Sequence, residues 1–166
     1  MKYLDYKKAK ETEANDLPIK WAFGMKQFRE MMAEWGLTEN DTDKIFSLGA
    51  GGYFLKEDEP IIKAYFTKPS ELPKLMRDKE FAIEAFTYEM GNHEYQINWQ
   101  GDWDVCSCFS TRELKYEDSK TYREYLEEAK YPKYVIEYFS QARRDYLKWC
   151  DENNYINFVT VGSLLL

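Results

Sequence analysis

The chain predicts an α+β fold: a small, largely antiparallel sheet packed by five or six helices, as a single domain over residues 1–166. Three observations carry that expectation. Several segments repeat apolar residues at helical spacing. A glycine cluster at 49–52 separates two short β-prone runs, the signature of a hairpin. Residues 95–105 alternate polar and apolar side chains about Gly101, which suggests a second hairpin.

In chain order, residues 2–15 read as a helix, with Tyr3, Tyr6 and Ala9 three apart, ended by Pro18. Residues 19–23 read as a short strand broken by Gly24. A helix over 25–35 places Met25, Phe28, Met32 and Trp35 on one face, and Gly36 suits the position just past its end. Residues 44–48 and 53–55 pair across the glycine turn. No helix N-terminus and no Lys-Ser or Lys-Thr follows those glycines, so they make a turn and not a phosphate cradle. Pro60 opens a helix with Ile61, Ile62, Tyr65 and Phe66 inward, and residues 69–76 add a shorter helical turn. Asp78 caps a helix over 79–91, where Phe81, Ala82, Ala85, Phe86, Tyr88 and Met90 form a broad apolar surface. Residues 95–109 follow as strand–loop–strand. A helix from Asp118 or Ser119 to Ala129 turns Tyr122, Tyr125 and Leu126 inward. Pro132 opens the last helix, over 132–152, with Val135, Tyr138, Phe139, Ala142, Tyr146, Trp149 and Cys150 in helical period. The core is expected where helices 79–91 and 132–152 meet the two hairpins. Residues 155–166 carry no charge and favour extended structure, which predicts a C-terminal strand or docking tail.

Apolar residues make up 44% of the chain and aromatic residues 17%, enough for a real core and against intrinsic disorder. The net charge of −7 disfavours direct nucleic-acid binding, which needs clustered Lys and Arg. The charge is uneven: residues 1–40 balance, 41–109 carry −6 and 110–166 carry −1. Three cysteines without a secretory pattern imply reduced thiols in a cytoplasm. The N-terminus lacks the apolar stretch of a signal peptide, and no run is long enough to span a membrane.

The stretch 86–109 concentrates the unusual chemistry. It holds the only histidine, two of the three cysteines and two of the five tryptophans, inside a run from Glu80 to Thr111 that lacks any Lys or Arg. On a helix reaching Glu94, Glu89 and His93 share a face. With Asp102, Asp104, Cys106 and Cys108 they are the residue types that hold divalent metals. One histidine and a Cys-X-Cys spacing fall short of a ligand set, so no metal and no cofactor is expected, and His93 is read as a hydrogen-bonded structural residue. A Cys–His nucleophile pair would further need an orienting group, Asn92 or Asp104, and an oxyanion hole, which nothing in the sequence supplies, so no catalytic residue is assigned. Glu89, Asn92, His93, Glu94, Tyr95, Trp99, Asp102, Trp103 and Asp104 are read as a binding surface, since acids beside aromatics suit a protein interface.

The runs Tyr-Glu-Met-Gly-Asn-His-Glu-Tyr and Asp-Trp-Asp-Val-Cys-Ser-Cys-Phe, with the earlier Trp-Ala-Phe-Gly-Met-Lys-Gln-Phe and the 49–52 turn, resemble an uncharacterised family of small acidic proteins encoded by phages, plasmids and conjugative elements of gut bacteria. The likeness covers roughly residues 1–152, and the tail departs from it. The resemblance implies the cytoplasm of a bacterial host cell and a role in conflict with host defence. It supplies no catalytic or binding residues. The expected function is therefore an accessory protein of a mobile element, anti-CRISPR-like or anti-restriction-like and non-enzymatic, that inhibits a basic host protein such as a nuclease or its complex. A small metal-dependent or cysteine enzyme centred on His93 is the alternative. A homo-oligomer assembled through the tail is a third reading.

Overall fold

The computed structural model describes residues 1–153 and Tyr155; apart from Tyr155, the expected tail lies outside the described residues. The fold is α+β, and its contacts divide the chain into two compact units. One comprises residues 8–69. The other joins the first seven residues to the chain from Ser70 onward.

In the 8–69 unit the elements are the later part of α1 (Tyr3–Asn15), β1 (Lys20–Trp21), α2 (Met25–Glu34), β2 (Ile45–Gly49), β3 (Gly52–Leu55) and α3 (Glu59–Thr67), with 3-10 turns before β2 and after β3. The sheet is antiparallel in the order β1-β3-β2. The hairpin expected from the glycine cluster is present. Gly49 pairs with Gly52, so Ala50 and Gly51 form a two-residue turn with φ of 48° and 84°. Positive φ at both positions matches the right-handed twist of the strands. Gly51 is required for a second reason, because a Cβ there would meet the Ala22 carbonyl oxygen at 2.8 Å.

Ala22, Met31, Met32 and Ile45 are the buried core of this unit, and Phe28, Trp35, Leu37, Tyr53 and Leu55 pack against it. The inward faces expected for α2 and α3 are only partly realised. Met25, Ile61 and Phe66 are exposed, and in α3 only Ile62 is buried. Strands of two, five and four residues offer too little surface to cover the rest.

The other unit is helical: the first turn of α1, then α4 (Leu72–Leu75), α5 (Lys79–Asn92), α6 (Gly101–Ser107), α7 (Tyr122–Glu128) and α8 (Lys133–Glu152). Local chemistry sets several boundaries. The Asp78 side chain accepts from the Phe81 N–H at 2.9 Å and caps α5. Glu124 accepts from the Thr121 N–H at 2.8 Å and α7 starts at Tyr122, later than the start expected at Asp118 or Ser119. Pro132 precedes α8 as expected. Helices α5 and α8 pack against each other through Phe86 and Phe139, both fully buried, with ring centroids 4.8 Å apart. Phe109 and Tyr122 complete the aromatic centre, at 4.9 Å from Phe86 and 4.5 Å from Phe139. Tyr88 and Trp149, expected inward, are exposed.

The strand–loop–strand expected over 95–109 is instead a series of turns followed by helix α6. The buried residues there are Tyr95, Gly101, Val105, Cys106 and Phe109, and the four-residue steps from 101 to 105 to 109 are helical. Polar–apolar alternation over so few residues fits either period. The core of this unit is thus α5 and α8 with α6 and α7, and residues 95–109 enter it as turns and a helix in place of the expected hairpin.

Candidate functional site

Helix α5 ends in a Schellman motif. Glu94 takes the left-handed position at φ 49°, its N–H donates to the Gly91 carbonyl at 3.3 Å, and the Tyr95 N–H donates to the Met90 carbonyl at 2.9 Å. The buried side chains of Tyr95 and Met90 belong to the same core cluster. This ending holds Glu89 and His93 on one face of the last turn. The C-terminal end of α6 brings Cys108 to them.

Glu89 is 2% exposed and hydrogen-bonded at both oxygens. Its Oε1 accepts from the Tyr3 hydroxyl at 2.7 Å and from Lys7 Nζ at 2.8 Å, and its Oε2 accepts from Asn92 Nδ2 at 3.1 Å. Burial opposes its charge, but Lys7, Tyr3 and Asn92 together outweigh that and hold the carboxyl below its ordinary value. Lys7 also lies 4.8 Å from the Tyr88 ring centroid, a cation–π contact that helps anchor it. Cys108 Sγ stands 3.3 Å from His93 Nε2, 3.8 Å from Glu89 Oε2 and 3.4 Å from the Asp104 carbonyl oxygen. His93 Nε2 is 3.7 Å from Glu89 Oε2. Burial, then the Glu89 charge, push the Cys108 thiol up to about 11. A thiol so placed, at a helix C-terminus where the dipole disfavours anions, is protonated at neutral pH and is not an activated nucleophile.

The residues read from the sequence as one binding surface divide into three groups. Glu89, Asn92 and His93 join Cys108 as described. Tyr95 and Asp102 belong to a structural network: the buried Tyr95 hydroxyl donates to Asp102 and accepts from Arg143 Nε at 2.8 Å, while Asp102 Oδ2 accepts from the Tyr122 N–H at the start of α7, at 2.9 Å. Glu89 and Tyr95 are buried and present no surface to a partner, which corrects their place in that set. The third group faces outward. Trp99 is 77% exposed, and its ring stands edge-on to Tyr116 at 5.4 Å. Tyr116 in turn contacts the half-buried Trp103 at 5.9 Å, whose Nε1 donates to the Leu114 carbonyl at 2.7 Å. Asp104, held by Asn98 Nδ2 at 2.7 Å, shares α6 with Trp103, and Asp118 accepts from the Tyr116 hydroxyl. That hydrogen bond pushes the Tyr116 phenol up to about 12. Glu94 is exposed.

Cys106, considered from the sequence beside Cys108, is fully buried, with Sγ 3.8 Å from the Tyr122 carbonyl. On a helix two residues apart face different ways, so the two cysteines do not share a face as they would on a strand. Among the described residues, one group of three residues brings metal-capable atoms together: Glu89, His93 and Cys108, all within 4.8 Å of one another. Asp102 and Asp104 do not join it. Tyr3, Lys7, Arg143 and Tyr116 were missed as site residues. The one sequence signal for Lys7 was indirect: a run without Lys or Arg that contains a buried acid must draw its counter-charge from elsewhere in the chain.

Among the described residues no helix is long and apolar enough to cross a membrane. No curated protein and no solved structure matches the chain. Its sequence from residue 2 to residue 130, which takes in Tyr3, Lys7, Glu89, His93, Cys108 and the Trp99 face, matches a family of unknown function, DUF7659, and the chain belongs to that family.

Proposed function

We propose that this protein is a non-enzymatic binding protein whose Trp99 face engages a basic protein partner. The observation that carries this reading is a tryptophan left 77% exposed while its ring is held edge-on by Tyr116, itself packed on Trp103. An aromatic anchor fixed before binding loses little entropy on association, and tryptophan is the residue most enriched among dominant interface contacts. Asp104, held by Asn98, and Asp118, held by Tyr116, give the neighbourhood its acids, and the exposed Glu94 adds to the charge of a chain of net charge −7. Acids around an aromatic anchor suit a surface rich in Lys and Arg and attract it over a Debye length of about 8 Å at physiological ionic strength. Such a partner is a nucleic-acid-handling protein of the host, whose phosphate-binding channel an acidic surface can block. With the resemblance to proteins of phages and plasmids, this makes the chain an inhibitor of host defence of the anti-CRISPR or anti-restriction kind.

The test is capture from bacterial lysate at low salt, followed by association kinetics with the captured protein. Trp99→Ala should weaken binding by about 2 kcal/mol or more, with stability changed by less than about 0.5 kcal/mol. Glu94→Gln with Asp104→Asn should slow association, as should added salt. The captured protein should also lose affinity for nucleic acid in the complex. A partner indifferent to salt and to all three substitutions ends the proposal.

A further inference from the structure

We propose that Glu89, His93 and Cys108 form a zinc site with three protein ligands and one open position. The shape of the triangle is the first argument. Zinc bonds of about 2.0–2.3 Å set at tetrahedral angles place ligand atoms about 3.3–3.6 Å apart. Here the three separations are 3.3 Å from Cys108 Sγ to His93 Nε2, 3.7 Å from His93 Nε2 to Glu89 Oε2 and 3.8 Å from Cys108 Sγ to Glu89 Oε2. Each side lies within a few tenths of an ångström of one face of a zinc tetrahedron.

Donor chemistry is the second argument. A thiol has one proton to give, and Cys108 Sγ has two acceptors within reach, Glu89 Oε2 at 3.8 Å and the Asp104 carbonyl at 3.4 Å, beside the His93 ring nitrogen at 3.3 Å. With the His93 proton on Nδ1, electron pairs converge there in excess of protons, which a cation resolves. A thiolate, an imidazole and a carboxylate together select a borderline-soft divalent ion over magnesium or calcium, which prefer oxygen alone. On binding, the Cys108 proton leaves to solvent, the Sγ–zinc bond forms, and the neutral His93 ring gives its Nε2 lone pair. The charges of Glu89 and the thiolate balance the ion.

The surroundings are those of a held ligand set. The far oxygen of Glu89 is fixed by Tyr3 at 2.7 Å and Lys7 at 2.8 Å, so Oε2 is the oxygen turned toward His93 and Cys108. Outer hydrogen bonds of this kind orient metal-binding carboxylates. Glu89 on α5 and His93 at its C-cap stand one helical turn apart, and the Schellman motif fixes that ending, so two of the three ligands are placed by one helix and its cap. Cys108 is exposed and the His93 side chain is 30% exposed, which leaves the fourth position to water or to a group from a partner. The sequence alone pointed away from a metal, because it offers one histidine and a Cys-X-Cys spacing; a three-ligand site needs only that histidine and one of the two cysteines.

The test uses the full chain, stripped with a chelator and kept reduced, with cobalt(II) and zinc(II) as probes. One equivalent of cobalt should produce a thiolate-to-metal charge-transfer band, and zinc should displace it. Zinc should raise the melting temperature of the natural protein. Cys108→Ser and His93→Gln lie at exposed or half-exposed positions and should fold; both should lose the band and the thermal shift. Tyr3→Phe should keep the band but weaken zinc binding by about tenfold or more. Absence of the cobalt band, or a zinc-induced thermal shift that survives in Cys108→Ser, overturns the assignment.

Discussion

Glu89 carries its charge where almost no water reaches it, and three donors from α1 and α5 keep it ionised. Its folded carboxyl titrates below the ordinary glutamate value of about 4.3, so the stabilisation is complete above that pH and is lost as pH falls through the lower folded value. In chelator-treated protein, Glu89→Gln should cost about 1.5–3 kcal/mol at neutral pH, the range for hydrogen bonds to a charged group. Urea unfolding at successive pH values should show the gap between natural protein and variant closing on the acid side of about pH 4. A gap that stays constant into acid would show that the charge is not what stabilises this residue. That Glu89 and His93 share a helical face was legible in the sequence, because it depends only on spacing within one helix. The contacts of Glu89 to Tyr3 and Lys7, 86 and 82 positions away, were not, since no local pattern encodes which distant side chain answers a buried acid.

Helices α5 and α8 meet through Phe86 and Phe139, and both phenylalanines are visible in the sequence because long amphipathic helices announce their faces. Phe86→Ala and Phe139→Ala should each cost about 3–5 kcal/mol. The double variant should cost less than the sum, by about 0.5–1.5 kcal/mol, because the rings also contact each other edge to face. Full additivity in thermal or urea unfolding would show that the two rings act independently. Element boundaries were readable where one residue supplies the reason, as at Asp78, Pro132 and Gly36. Two further helix ends, expected at residue 91 and Ala129 and observed at Asn92 and Glu128, close without a glycine in the left-handed position. Glu94 and Lys130 sit in left-handed conformation at φ 49° and 67°, doing with a side chain what Gly36 does without one. The turns and short helix over 93–107 were hidden: aromatic and β-branched residues there suggest strand, and burial against α5 and α7 overrides that preference.

At the scale of the molecule the α+β class was legible, because a glycine hairpin and several amphipathic helices suffice to predict it. The division into two units was not, since no linker composition marks it. The 8–69 unit buries few large side chains and leaves Trp21, Phe23, Met25, Ile61 and Phe66 exposed. A chain of about 60 residues buries only about 60% of its surface on folding even when its core is complete. Residues 8–69 produced alone should therefore lack a cooperative melting transition by circular dichroism, while the full chain shows one. A sharp transition in the isolated piece would mean that its small core is sufficient.

Translation makes Tyr3 and Lys7 long before it makes Glu89. The unit to which all three belong cannot close until α5 has left the ribosome, and the loop that then closes spans more than eighty residues. Contacts of such separation form late and slow a folding chain. The stretch 8–69 is continuous and is synthesised entirely within that interval. The turn that carries Tyr3 and Lys7 thus waits, with its lysine solvated and its tyrosine unsheltered, for a carboxylate that arrives only after the whole intervening unit has been made.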